Sequence, residues 1–216
     1  MNSDTSQDTL NNKERITLGL LNAVQGNNAV TQRILASHLG VALGLPNSYL
    51  TPCAKKGLIK ISQAPSNRYI YYLTPHGFGE KDRLTAEYLK QSFYFFRIAR
   101  GQSKNMFRLC DKNAWRRVAL IGKTDLIEIA ILSAAEISLE LAGIVYEEAA
   151  QSTDTFMNIP VVGKLPDLRP VPALVLTDTR TPQNTFEEII KFFPKERVLT
   201  MPILSVRRNR VDEEES

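Results

Sequence analysis

The sequence contains few of the residues that carry catalysis, bind metals or form cross-links. Its 216 residues include two histidines and two cysteines, and none of them has the spacing of a metal site. Cys53 and Cys110 belong to different segments, so we predict two reduced thiols rather than a disulfide. No serine of the C-terminal half has an evident general base in its own segment. These shortages predict a protein that is not an enzyme and that needs neither a metal nor a cofactor.

Long apolar runs are also missing. No stretch of about 18 apolar residues is present to form a transmembrane helix, and the polar, acidic N-terminus lacks the pattern of a signal peptide. Hydrophobic residues nevertheless make up 43% of the chain, which is enough for a packed core. The length of 216 residues suits two small domains or one large one. We therefore predict a folded cytoplasmic protein.

The basic residues are concentrated in the first part of the chain. Residues 1–101 contain 12 Lys+Arg against 6 Asp+Glu, whereas residues 102–216 contain 15 against 17. The net charge of +4 therefore combines a basic first part with a slightly acidic second part. A basic excess of this kind suits a surface that binds phosphates, although ordinary solvated charge would give the same count.

Between residues 31 and 73 the pattern predicts two short helices and two strands. Thr31 is suited to cap the first helix, and Gly40 is suited to end it in the left-handed conformation. The second helix follows Gly44 or Leu45, and the two strands flank a polar turn at 65–68. Two helices joined by a glycine-containing turn form a helix-turn-helix, to which the strands add a wing.

The motifs of this region resemble those of a known family. They read Thr-Gln-Arg-x-Leu-Ala-x-x-Leu-Gly-Val, Gly-Leu-x-Asn, Lys-Lys-Gly-Leu-Ile-Lys and Tyr-x-Leu-Thr-Pro-x-Gly-x-x-Glu-Lys. Over roughly residues 15–100 the chain resembles bacterial winged-helix transcriptional regulators, above all the MarR-like group associated with exopolysaccharide genes. The resemblance implies a winged helix that binds double-stranded DNA as a homodimer and regulates polysaccharide or related cell-surface genes.

This fold would bring a set of candidate DNA-binding residues to one face. Polar residues of the second helix suit base edges in the major groove, and the cations near it suit phosphates. A cation at the tip of the wing suits a minor groove. The candidates are Gln32, Arg33, Asn47, Ser48, Thr51, Lys55, Lys56, Lys60 and Arg68. Pro52 falls inside the second helix, so we expect this helix to bend or end there, or to begin later. A third possibility is that DNA binding is weak or lost.

A long helix is predicted from about Gly77 to Arg100. Its apolar stripe is too long for one small core to cover, so we expect it to pack against a second subunit or, as the alternative, against the second domain. The stripe comprises Phe78, Leu84, Tyr88, Leu89, Phe93 and Phe96. Residues 101–105 are interpreted as a linker, and a short helical segment follows at 106–114.

Strands alternate with helices after residue 116, which predicts βαβ units and a parallel sheet. The fold class is therefore an α+β winged helix N-terminal domain followed by a small α/β Rossmann-like parallel-sheet domain. We assign 1–12 to a disordered tail, 13–75 to the winged helix, 76–115 to a dimerisation helix and linker, 116–205 to the Rossmann-like domain and 206–216 to a charged tail.

A ligand of the second domain would sit at the carboxyl ends of its strands. A distant resemblance to the Rossmann-like domain of sugar acyltransferases and related nucleotide-sugar proteins implies a nucleotide or nucleotide-sugar ligand. The candidate ligand-binding residues are Gly122, Thr124, Asp125, Glu147, Asp178 and Arg180.

Two alternatives to this function remain open. The first is a redox-sensing repressor that resembles the Rex family and binds NAD(H). Against it, Thr124 and Ile127 stand where the NAD(H) fingerprint has glycines. The second is an interaction module in which the winged helix binds another protein instead of DNA.

Overall fold

The structure is a computed structural model that describes residues 12–26, 31–40, 45–64, 68–122, 124–137, 139–146 and 155–208. The chain divides into two compact units, with the boundary between Tyr94 and Phe95. The predicted tail before Asn12, the candidate residue Glu147 and the end of the charged tail lie outside the described residues. None of the described helices is long and apolar enough to cross a membrane.

Three helices, a two-stranded sheet and the first part of a long fourth helix form the first unit. The elements are α1 (Asn12–Gly26), α2 (Gln32–Leu39), α3 (Leu45–Lys55), β1 (Ile59–Ala64) and β2 (Arg68–Leu73). The two strands are antiparallel, with Ile59 opposite Leu73. Leu20, Leu21 and Leu35 are fully buried in the core that the helices and the sheet share. This order of helices and strands is the winged-helix arrangement that the sequence predicts.

The boundaries of α2 follow from the two residues that flank it. Thr31 has extended backbone, and its side chain accepts a hydrogen bond from the Ile34 N–H at 3.3 Å. Gly40 has a φ of 61°, and its N–H donates to the carbonyls of Ala36 and Ser37. Because each cap satisfies backbone groups that the helix itself leaves unpaired, α2 begins and ends where the sequence predicts.

Pro52 neither ends α3 nor delays its start, so these two expectations are wrong. The helix spans Leu45–Lys55, and the carbonyl of Pro52 accepts a hydrogen bond from the Lys56 N–H at 2.9 Å. Pro52 removes one backbone hydrogen bond, but Leu50 and Cys53 beside it are only 2% and 3% exposed. Burial of these two side chains in the core keeps the helix intact across the proline.

One continuous helix, α4, spans Pro75–Lys112. The linker predicted at 101–105 and the separate helix predicted after it are therefore wrong. Ser103 is fully buried, and its hydroxyl donates to the Met201 sulfur at 3.4 Å. This contact with a distant part of the chain stabilises the polar segment 101–105 as a helix. Local helix propensity alone does not predict a helix there.

The second unit contains a sheet of six mostly parallel strands, which is compatible with the Rossmann-like prediction. The strands are β3 (Arg117–Ile121), β4 (Glu140–Val145), β5 (Thr155–Phe156), β6 (Ile159–Val162), β7 (Ala173–Leu176) and β8 (Val198–Thr200). Their spatial order is β5–β6–β4–β3–β7–β8, and among these strands only β5 is antiparallel to its neighbour. Helices α5 (Asp125–Ala135) and α6 (Pro182–Ile189) follow β3 and β7. The sequence pattern does not predict β5, which is two residues long.

The two faces of the sheet are covered unequally. Val118 and Leu120 of β3 pack with α5 and with the C-terminal part of α4. Ala119 and Ile121, which alternate with them, pack with α6 and with side chains of the irregular segment 163–171. One face is therefore covered by two helices, whereas the other has one short helix and a segment whose regular structure is a single 3₁₀ turn at Leu165–Asp167.

Both cysteines are free thiols buried in different cores. Burial raises the pKa of Cys110 to about 11. Burial also raises the pKa of Cys53, and the nearby charge of Lys56 lowers it in part. Because the thiolate is the reactive form of cysteine, both side chains act as apolar core residues near neutral pH.

The described start of the charged tail is held against the second unit. The Arg207 N–H donates to the Gln183 side-chain oxygen at 2.8 Å. The Arg208 guanidinium donates to the Lys195 carbonyl at 2.6 Å and lies 5.6 Å from the centre of the Phe186 ring. Residues 206–208, which the sequence analysis assigns to the tail, are therefore part of this unit.

Candidate functional site

The outer face of α3 carries the polar residues that the sequence analysis assigns to base contacts. Four of the described side chains of the helix are exposed: Asn47, Ser48, Thr51 and Lys55. Asn47, Thr51 and Lys55 are spaced four residues apart and therefore share one side of the helix. Leu50 and Cys53, on the opposite side, are buried in the core. An exposed helix with a polar side of this kind is suited to the major groove of duplex DNA.

Exposed cations lie on α2, at the end of α3 and on β1. They are Arg33, Lys55, Lys56 and Lys60. Among the described residues, none of the four forms an ion pair within 4.0 Å. By contrast, Arg83 of the same unit pairs with Glu80 at 2.9 Å and with Glu14 at 3.4 Å. Cations that are not ion-paired within the described residues are available to bind phosphates.

Besides the hydrogen bond from Arg83, the positive charge of Lys56 lowers the pKa of one carboxylate of this unit, Glu80. The hydrogen bond from Arg83 lowers the pKa of Glu80, burial opposes this effect, and Lys56 adds a smaller lowering. Glu80 is itself held by Arg83. The Lys56 ammonium therefore has a favourable neighbour but stays available to a phosphate.

Two of the proposed DNA contacts have only their backbone described. Gln32 is the first residue of α2, and Arg68 is the first residue of β2. Their side chains, and the wing residues 65–67 before Arg68, lie outside what the structure describes. Their proposed roles stay predictions.

A second candidate site lies in the second unit, where several parallel strands end. A groove with a volume of about 1070 Å³ is bounded by the segment 163–171, by α6 and by the residues that follow β3, β4, β6 and β7. We call it the carboxyl-edge groove. In the sheet, β4 lies on one side of β3 and β7 lies on the other. The strand order therefore reverses direction at β3, and the groove lies at this switch point. Ligands of open α/β sheets bind in crevices at this position.

Gly122 is needed here for close packing with Asp178. Its φ is 93°, which disfavours residues with a side chain. A Cβ atom at this position would lie 2.6 Å from the Asp178 Cβ and 2.8 Å from its Cα. The glycine therefore serves a contact within the protein rather than the approach of a pyrophosphate. Ile127 stands where the NAD(H) fingerprint has another glycine, and here it is a core residue that is 1% exposed. The NAD(H) alternative is therefore not favoured.

The Asp178 carboxylate holds the turn that leads into α6. Its oxygens accept hydrogen bonds from the Arg180 N–H at 2.9 Å and the Thr185 hydroxyl at 2.6 Å. They also accept from the N–H and the hydroxyl of Thr181 at 3.3 and 3.2 Å. Burial raises the pKa of Asp178, but these hydrogen bonds outweigh it and the pKa is lowered. Asp178 is therefore a structural anion at the edge of the groove.

The structure brings most of the proposed ligand-binding residues together. Gly122, Thr124, Asp178 and Arg180 line the carboxyl-edge groove. Asp125 instead lines an adjoining pocket of about 320 Å³, to which Thr124 and Arg180 also contribute. Among the described residues, no group of three or more His, Cys, Asp or Glu side chains could hold a metal ion.

The sequence analysis did not predict the groove residues on the segment 163–171. Lys164, Leu168 and Arg169 line the groove, but they follow β6 in an irregular stretch with no periodic pattern. One signal was available, because this stretch connects two strands of a predicted parallel sheet. Such connections at the carboxyl end of a sheet commonly form ligand sites.

Comparisons with known proteins find solved structures but no family model. No protein-family model matches the sequence, and no curated protein matches it. The chain is similar to the PcaV transcriptional regulator from Streptomyces coelicolor, solved with its natural ligand, at 20% identity and a TM-score of 0.36. That match covers 45% of this chain and 72% of PcaV.

A second similar structure is MepR, a transcription regulator of the Staphylococcus aureus multidrug efflux pump MepA. The identity is 25% and the TM-score 0.33, with coverage of 40% of this chain. The chain spans 64% of the length of MepR, which is under two thirds. PcaV and MepR are MarR-family regulators, and they match the winged-helix part of this chain.

Proposed function

We propose that the protein is a DNA-binding transcriptional regulator that acts as a homodimer. The observation that supports this function is the exposed polar face of α3, with Arg33, Lys56 and Lys60 exposed around it and not ion-paired within the described residues. A helix of this kind places side chains at base edges while the surrounding cations hold the phosphates. The motif resemblance to the exopolysaccharide group supports polysaccharide or related cell-surface genes as the targets.

Each part of this surface has a separate role in the proposal. Asn47, Ser48 and Thr51 contact base edges in the major groove, because their amide and hydroxyl groups both donate and accept hydrogen bonds. The cations, with Gln32 at the start of α2, contact phosphates and carry no sequence information. Arg68 on the wing reaches the adjacent minor groove.

Binding to duplex DNA should depend strongly on salt. Each cation that neutralises a phosphate releases counterions, so with roughly 6–10 phosphate contacts per dimer the affinity should fall by about 10³–10⁵ between 50 and 200 mM salt. We would measure this by fluorescence anisotropy with labelled duplexes of mixed sequence, followed by selection from a random pool. An affinity that does not change with salt would contradict DNA binding and favour the protein-interaction alternative.

Variants of the same surface separate its two kinds of contact. Arg33→Ala and Lys56→Ala should weaken binding to all sequences alike and reduce the salt slope, whereas Asn47→Ala should alter the selected sequence. Lys90→Ala is the matched control, because Lys90 is an exposed lysine of the same unit that pairs with Glu87 on α4. If Lys56→Ala and Lys90→Ala have equal effects, the proposed face is not the DNA contact.

The homodimer is proposed from the exposed apolar residues of α4. Of the stripe predicted from the sequence, Leu84 is buried in the first unit and Phe96 packs in the second. The rest stays exposed within the described chain: Phe78, Tyr88, Leu89 and Phe93. Phe93 is 60% exposed, and contiguous exposed apolar side chains commonly mark a protein interface. A second copy of α4 is the proposed partner because regulators of this kind present two DNA-binding heads about 34 Å apart.

Charged substitutions in this stripe should separate the subunits. The double variant Leu89→Asp/Phe93→Asp should sediment as a monomer at concentrations where the wild-type chain is a dimer, because burying two carboxylates in an apolar interface costs several kcal/mol. Leu132→Asp on α5 is the control, since Leu132 is 48% exposed and lies outside the stripe. A wild-type chain that is itself monomeric in sedimentation velocity would refute the homodimer.

A further inference from the structure

We propose that the carboxyl-edge groove binds an amphipathic carboxylate, meaning a small molecule with an apolar chain or ring and one acidic group. The acid would be held by the side chains of Lys164, Arg169 and Arg180 at the rim. This proposal goes beyond the proposed function, because binding in the groove requires no contact with DNA and can be measured without it.

The walls of the groove are apolar on two sides. They are formed by Leu165, Leu168 and Val171 from the irregular segment and by Ile189, Phe192 and Phe193 from the end of α6 and the turn after it. Phe192 is 65% exposed, which is unusual for so large an apolar side chain. The groove exists because one short helix cannot cover this face of the sheet. Its volume of about 1070 Å³ suffices for a drug-sized ligand.

The charged residues of the groove leave a positive excess. Lys164, Arg169 and Arg180 are exposed, and none of them forms an ion pair with another described residue. The two carboxylates of the lining are already engaged. Asp178 accepts its hydrogen bonds from the start of α6, and Glu188 accepts from Lys191 at 2.6 Å. A ligand with one negative charge would therefore supply a counter-ion that the described residues do not provide.

The helix termini beside the groove argue against a phosphate ligand. A nucleotide usually places its phosphates at a free helix N-terminus. The Asp178 carboxylate accepts hydrogen bonds from the N–H groups of Arg180 and Thr181, which precede α6, and from the Thr185 hydroxyl. This negative charge beside the start of α6 repels a second anion there. The first turn of α5 carries the acidic Asp125, and the hydroxyl of Thr124 donates to the Thr177 carbonyl at 2.6 Å. The acid of the ligand would thus meet side-chain cations instead of backbone N–H groups, which favours a carboxylate over a nucleotide or nucleotide sugar.

Titration calorimetry on the full chain tests the ligand class. Decanoate is the probe, with decan-1-ol as the uncharged analogue, decylammonium as the cationic analogue, and ADP and inorganic phosphate as phosphate ligands. We expect saturable binding of decanoate, at least about tenfold weaker binding of decan-1-ol and no binding of decylammonium. Equal affinities for decanoate and decan-1-ol would overturn the role of the cations. Tighter binding of ADP than of decanoate would overturn the ligand class.

Variants locate the binding site. Arg169→Gln/Arg180→Gln should weaken decanoate binding by about tenfold or more, because Gln keeps a polar side chain that can donate hydrogen bonds but removes the charge. Arg197→Gln is the matched control, since Arg197 is exposed in the same unit just before β8, at the opposite end of the strand from the groove. Leu132→Asp controls for adsorption to an exposed apolar side chain outside the groove, since Leu132 is 48% exposed on α5, and it should bind decanoate as the wild type does. If Arg197→Gln or Leu132→Asp lowers the affinity as much as the double variant does, the groove is not the site.

Discussion

Replacing Gly77 with alanine should destabilise the first unit by about 3 kcal/mol or more, whereas the same change at Gly79 should stabilise it by roughly 0.5–1 kcal/mol. A Cβ atom on Gly77 would lie 1.9 Å from the carbonyl oxygen of Leu58 and 2.9 Å from its carbonyl carbon. Backbone atoms cannot yield in the way that the end of a flexible side chain can. The start of α4 would have to move away from the residues that precede β1.

That movement would break a group of hydrogen bonds at the N-cap of α4. The Thr74 hydroxyl donates to the Gly57 carbonyl at 2.5 Å and accepts from the Gly77 N–H at 3.0 Å. The Thr74 N–H donates to the Leu58 carbonyl at 3.1 Å. These contacts join the helix to the end of α3 and to the wing, so their loss should affect the whole unit.

Gly79 provides the control because it lies in the same helix, two residues further on. It is exposed, and a Cβ atom there would meet nothing within 4 Å. Alanine should therefore bring only its higher helix propensity. If Gly77→Ala and Gly79→Ala change stability by the same amount, the close approach to Leu58 does not exist in solution.

The measurement has to report on the first unit by itself. Trp115 is the only tryptophan and belongs to the second unit, so its fluorescence would miss the effect. Hydrogen exchange of peptides from α1 and α3 in increasing urea gives the local free energy of unfolding. The expected result is faster exchange in these peptides for Gly77→Ala and slower exchange for Gly79→Ala.

Removing the Asp178 carboxylate should destabilise the second unit by about 3 kcal/mol at neutral pH, since hydrogen bonds to a charged group contribute more than neutral ones. The Asp178→Ala variant would leave the Arg180 and Thr181 N–H groups and two hydroxyls without their acceptor. It would also remove the negative charge at the N-terminus of α6. Urea unfolding followed by Trp115 fluorescence measures the effect, because Trp115 is in this unit.

The difference between the wild type and Asp178→Ala should depend on pH in a defined way. The hydrogen bonds hold the pKa of Asp178 below its ordinary value of 3.8 in the folded state. A carboxyl with a lowered pKa contributes its full stability above the unfolded pKa and loses it as the pH falls through the folded one. The difference should therefore be constant from pH 5 to 7 and shrink below about pH 3.8.

Asp125→Ala is the control for a general charge effect at a helix N-terminus. Asp125 lies in the first turn of α5 and is exposed, whereas Asp178 is 8% exposed. Its removal should cost roughly 0.3–1 kcal/mol through the helix dipole. Equal costs for Asp125→Ala and Asp178→Ala would show that the buried hydrogen bonds contribute nothing beyond the charge.

Most of the helices and strands could be predicted because their signals are local. The cap at Thr31 and the glycine at Gly40 fix α2 through their own backbone groups. The apolar spacing of Asp125–Ala135 predicts α5 with its observed bounds. The same reasoning places Asn47 and Thr51 on an exposed face, because a helix that buries Leu50 has its other side in solvent.

The sequence by itself thus determined the winged helix, the alternation of strands and helices in the second unit apart from the short β5, and the positive charge of the first part of the chain. Only the tertiary structure decided that α4 continues through 101–105, that α3 survives Pro52 and that Gly122 packs against Asp178. It also decided that the segment 163–171 lines a groove with α6. The physical reason is distance along the chain: caps and periodicity act within a few residues, whereas burial and close approach join residues that lie dozens of positions apart.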